Sequence, residues 1–151
     1  MEHSDAPAYL EFLIRVLQHN SLVVSIPILY IWTKLLAVPL LAKSDLFSPY
    51  IGPLLETCTN RLIRYEALPA ESEDPTFVFL NEDFDTMPER HAFVGNYRRF
   101  CTDVIERIVR KSPFEAMRHL LAGADLVFFT LYESGHPFSR KLQDMHQDFC
   151  R

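Results

Sequence analysis

Residues 7–36, "PAYLEFLIRVLQHNSLVVSIPILYIWTKLL", decide the fold. In the first half Leu10, Leu13, Ile14 and Leu17 recur at three- and four-residue steps, which makes one apolar stripe on a 3.6-residue period. Ser4, Asp5 and Pro7 form a helix-start signature, with the proline where a missing N–H does no harm. A helix is therefore expected through about His19. Asn20-Ser21 breaks the pattern, and Ser21 is placed to cap a second helix running to about Val38. A kink is expected near Pro27, because proline removes an intrahelical bond. Two amphipathic helices joined by so short a turn fold back on one another.

The second helix raises the question of a membrane. Residues 22–42 carry one charge, Lys34, over 21 positions, and about 20 apolar residues suffice to span a bilayer. A lysine near the middle of the span costs roughly 3 kcal/mol on insertion scales. Pro27 and Pro39 weaken the span, and Glu2, Asp5 and Glu11 stand where a signal peptide has a basic segment. A helix covered on most sides by other helices accounts for the same run at lower cost, so no membrane is favoured.

A third helix is expected from near Ser48, with Pro49 in its first turn. Ile51, Leu54, Leu55, Cys58 and Leu62 form its buried face, and Arg61 and Arg64 suit its C-terminal dipole. From about Ala67 to Thr86 no helical period survives. The stretch reads as a long acidic loop with one extended piece, Thr76 to Leu80. A loop of that length inside a compact domain points to a functional element. Thr86, with Pro88 and Glu89 following, starts a fourth helix whose stripe is Phe93, Tyr97, Phe100, Val104 and Ile108. Val94, Cys101, Ile105 and Val109 widen that stripe. Ser112-Pro113, with Glu115 three residues after the serine, reads as a capping box opening a fifth helix. Its expected buried face is Phe114, Met117, Leu121, Ala124, Phe128 and Leu131, and Gly135-His136-Pro137 end it.

The expected architecture is all-α: antiparallel helical pairs forming an α-solenoid (HEAT/ARM-like) fragment, with a compact bundle as the alternative. Residues 1–133 form the repeats, interrupted by the acidic loop 68–88. Residues 134–151 are a C-terminal tail of uncertain structure.

Composition removes several functional classes. The chain of 151 residues has the size of one domain and only four glycines, too few for an all-β sandwich or barrel. No GxGxxG or GxxxxGK[ST] phosphate loop occurs. Cys58, Cys101 and Cys150 are odd in number and far apart, which fits a reducing compartment better than a disulfide framework. The net charge is −5, and the acidity is concentrated. Residues 65–89 hold eight acids and no Lys, Arg or His.

Within that segment Asp83 and Asp85, two apart, share one side of an extended chain. An EF-hand would need a glycine and alternating ligands that are missing, and acid–base catalysis would need a pocket. The six histidines show no HExxH, and no cysteine stands at zinc spacing. No serine sits in a GxSxG elbow. No catalytic residue, cofactor-binding residue or metal ligand is assigned, and the chain is read as a non-enzyme with no cofactor. Arg90, Arg98, Arg99, Arg107, Arg110 and Lys111 follow the acidic loop at once and suit phosphates or an acidic partner. Pairs such as Asp103–Arg107 and Glu106–Arg110 neutralise part of that face.

The order of these features resembles the karyopherin-β (importin-β/exportin) family, and within it the exportin-five (fungal Msn-five-like) branch. The resemblance rests on the opening hairpin, on "PYIGPLLETCTNRLIRYE" (49–66), on "LNEDFDTMPERHAF" (80–93) and on "NYRRFCTDVIERIVRKSP" (96–113). It spans about residues 6–133 and covers a middle piece of a much longer chain. It implies a non-enzymatic HEAT-repeat segment serving nucleocytoplasmic transport of RNA or protein cargo with the GTPase Ran, as part of a longer chain. Implied partners are Ran and cargo, with nucleoporins as further candidates, and implied localisation is shuttling between nucleus and cytoplasm. Long mid-solenoid loops contact partners in this family. The implied partner-binding residues are therefore Glu82, Asp83, Phe84, Asp85, Arg90, Arg98 and Arg99. A solenoid piece also exposes apolar ends, through which self-association is expected. A helical adaptor unrelated to transport and a membrane-anchored helical protein are the other two readings.

Overall fold

The computed structural model of the chain describes residues 5–39 and 45–133. Among these there are six α-helices and no strand. They are α1 (Ala6–Leu17), α2 (Leu22–Ala37), α3 (Ser48–Asn60), α4 (Pro75–Asp83), α5 (Met87–Lys111) and α6 (Pro113–Glu133). Short 3-10 turns at Asp45–Phe47 and Tyr65–Ala67 lead into α3 and follow it.

The helix starts follow from local chemistry. Ser21 Oγ accepts from the N–H of Val24 at 3.3 Å, so the serine caps α2 as its position suggested. Asp74 Oδ1 accepts from Phe77 N–H at 2.9 Å at the head of α4. At the head of α5, Thr86 Oγ1 accepts from Glu89 N–H and donates to Glu89 Oε2 at 2.7 Å. The first of these bonds satisfies the Glu89 N–H, one of the donors a helix start leaves unpaired, and the second holds the threonine hydroxyl in place. Asp5 makes no side-chain cap on α1, where Pro7 in the first turn already removes one donor. Pro27 lies inside α2, which continues through it to Ala37.

The helices pack in two rows. α1, α3 and α6 lie side by side in one, with α3 touching both of the others; α2 lies against α5 in the other. Consecutive members face each other across the rows, α1 against α2 and α3 against α5, and α6 then packs on α3 and α5. This is a stack of helical pairs, with α6 opening a third. The space between the rows is filled by Leu13 and Leu17 of α1, Leu29 and Trp32 of α2, Leu54 and Leu55 of α3, and Tyr97, Val104 and Ile108 of α5, all buried. Each such side chain contributes on the order of 1.5–3 kcal/mol by leaving water. Trp32 packs against Phe47 at 6.0 Å and Tyr50 at 6.3 Å between ring centres. Helix cover thus accounts for the apolar run in α2. Among the described residues no helix is long and apolar enough to cross a membrane.

The structure departs from the sequence expectations in three places. Residues 75–83, expected within an acidic loop and extended from Thr76 to Leu80, form α4. Its Thr76, Phe77 and Leu80 share a buried face, and α4 packs on α2. Leu62 and Val109, placed on buried stripes, are exposed, Leu62 because α3 ends before it. The third departure is the largest. The stripe of α6 expected to be buried faces outward, with Phe114 at 92% exposure. α6 instead joins the stack through Ala116, which is buried, and His119, whose ring lies over Gly52. The expected end of that helix at Gly135–Pro137 and the tail 134–151 lie outside the described residues.

Candidate functional site

The segment that joins α4 to α5 is three residues long and carries the acidic and aromatic residues singled out in the sequence. α4 ends at Asp83, Phe84 is extended, and Thr86 begins α5. The Phe84 ring packs on Phe93 at 4.8 Å, and Phe93 packs on Tyr97 at 6.3 Å. A line of aromatic rings therefore runs from the surface into the core. At its inner end the Tyr97 hydroxyl and Ser25 Oγ share a hydrogen bond of 2.8 Å. Burial pushes the Tyr97 phenol well above its ordinary value, and the bond to Ser25 only partly opposes this.

The other candidates divide sharply. Asp83 accepts from Ser21 Oγ at 3.1 Å, tying the end of α4 to the start of α2. Arg90 lies over the Phe77 ring at 5.7 Å and bonds to Asn81 Oδ1 and Met87 Sδ. Arg98 forks onto both oxygens of Glu66, at 2.6 and 3.0 Å, and donates to the Ile63 carbonyl at 2.9 Å. That fork holds the Glu66 carboxyl below the usual carboxylate range. Asp83, Phe84, Arg90 and Arg98 are thus engaged within the fold. Glu82, Asp85 and Arg99 are exposed and form no ion pair among the described residues. Arg99 borders an open depression of about 440 Å³ with Phe100, Thr102, Asp103 and Glu106.

This geometry removes the carboxylate-pair reading. Asp83 closes a helix and Asp85 lies in a bend, so the two do not share the side of a strand. The expected helix pairs form: Arg107 to Asp103 at 3.1 Å and Arg110 to Glu106 at 3.5 Å. Part of the basic face of α5 is thereby neutralised. Lys111 turns inward over the Phe47 ring at 4.7 Å, and burial lowers its pKa.

Two groupings escaped the sequence reading. Arg61 at the end of α3 is buried, and its guanidinium donates to Thr76 Oγ1 at 2.6 Å and to the carbonyls of His19 at 2.9 Å and Asn20 at 3.4 Å. It serves the negative end of α1 rather than the end of its own helix. A polar cleft of about 310 Å³ opens beside it, bordered by Gln18, Glu56, Asn60 and Tyr65. No local pattern announces these contacts, because they join residues 15 to 42 apart. Cys58 and Cys101 meet between α3 and α5. A hydrogen bond with Cys101, and then burial, raise the Cys58 thiol well above its ordinary value, which disfavours the nucleophilic thiolate. Among the described residues no three His, Cys, Asp or Glu side chains gather as a metal site would require.

A family model described as Exportin-5 matches residues 2–131. The chain is also similar to Uncharacterized protein C328.01c of Schizosaccharomyces pombe, 30% identical over 111 residues. That alignment takes in 72% of this chain and 9% of the relative, so the chain spans a small part of the curated relative it matches. No solved structure matches the chain.

Proposed function

Because the chain belongs to the Exportin-5 family, we propose that it is one stretch of a non-enzymatic transport-receptor scaffold, working within a longer chain. The family match over residues 2–131 carries this reading, and the two-row stack of helical pairs is the architecture such a scaffold needs. Within the proposal, residues 1–133 are HEAT-like repeats of the exportin-five (Msn-five-like) branch. The receptor moves RNA or protein cargo between nucleus and cytoplasm together with Ran, with contacts to nucleoporins on the way.

The contact surface in this reading is the α4–α5 junction. Glu82 and Asp85 stand in solvent on either side of the anchored Phe84, and Arg99 stands in solvent farther along α5, one residue past Arg98. Asp83, Arg90 and Arg98 hold that presentation in place from below. The test is capture of GTP-loaded against GDP-loaded Ran, with and without a structured RNA, by the longer chain that contains these residues. GTP-dependent capture strengthened by RNA is expected, and Glu82→Lys with Asp85→Lys should weaken it. Equal capture of the two nucleotide forms would sink the proposal.

A further inference from the structure

We draw no further inference here: the strongest candidate, the apolar side of α6, belongs to a helix exposed on every side from residue 121 to 130, and nothing in the structure shows what covers it.

Discussion

The guanidinium of Arg61, at the end of α3, donates to the main-chain carbonyl oxygen of His19 at 2.9 Å. His19 and Asn20 form the turn that follows α1, and the carbonyl of the C-cap residue Gln18 lies 3.5 Å from the same guanidinium. Arg61 supplies donors for these turn carbonyls and at the same time holds Thr76, in the first turn of α4, at 2.6 Å. One side chain thus fastens three helices. No carboxylate pairs with it among the described residues, so its charge is balanced by carbonyl dipoles. Replacing Arg61 with Met should destabilise the chain by about 2–4 kcal/mol, because buried acceptors lose charged donors. Arg61→Lys should recover only part of this, since an ammonium lacks the planar fork. Urea midpoints at constant slope are the measurement; a neutral Arg61→Met would show that the carbonyls of the turn after α1 find water instead.

Tyr97 and Ser25 form a second cross-row link, hydroxyl to hydroxyl at 2.8 Å. Tyr97→Phe removes one partner and should cost about 1 kcal/mol. Ser25→Ala should cost somewhat more, because Ser25 also donates to the Leu22 carbonyl at 3.3 Å. The two changes together should cost less than their sum, since each strands the other's hydroxyl. A double-mutant cycle by denaturation checks this, and additivity would mean that the bond adds nothing of its own.

The Arg98–Glu66 pair makes stability depend on pH in a defined direction. The carboxyl of Glu66 is held below its usual range in the folded chain by Arg98. Its stabilisation is therefore present above the unfolded-state value, near about 4.3 for glutamate, and is lost as pH falls through the lowered folded value. With side chains 25% and 30% exposed, the pair should contribute about 0.5–1 kcal/mol. Glu66→Gln should lower stability by that amount at neutral pH and by nothing in strong acid. Parallel curves of natural chain and variant across pH 2–7 (roughly the window in which carboxylates titrate) would contradict the assignment.

Much of the fold was legible because its helices carry strong local signals. The stripes of α1 and α5 and the caps at Ser21 and Thr86 rest on residues within four positions of one another. α4 was missed although Asp74-Pro75 is a start signal of the same kind as Thr86 and Pro88. Its nine residues are too few to establish a period, and the acids around them resemble a solvated loop. The period of α6 is legible, but nothing among the described residues covers its stripe, and every residue from 121 to 130 is exposed. Periodicity shows that a helix has an apolar face; it does not show which neighbour covers it. The candidate site was legible in composition only. Nothing local distinguishes Arg98, which is clamped on a glutamate 32 residues away, from Arg99 beside it in solvent.

The contact that turns α6 is itself open to test. A Cβ on Gly52 would stand 2.7 Å from Cε1 of His119 and 3.1 Å from its Nε2, closer than two side chains pack. Glycine at this point of α3 costs helix stability, by about 1 kcal/mol relative to alanine. On an isolated helix Gly52→Ala would therefore be stabilising. Here the added methyl must displace the imidazole, the far end of a half-buried side chain that can swing aside, and with it one contact of α6 with the stack. Gly52→Ala is therefore expected to lose most or all of the propensity gain of about 1 kcal/mol and to loosen α6 first. Hydrogen exchange should show faster amide exchange in residues 113–130 with little change in α1 and α2. His119→Ala in the same chain removes the obstacle, so the double variant should regain the helix-propensity gain and exceed the single variant in stability. If Gly52→Ala alone gained the full helix-propensity increment of about 1 kcal/mol, α6 would not be seated on α3 through this contact.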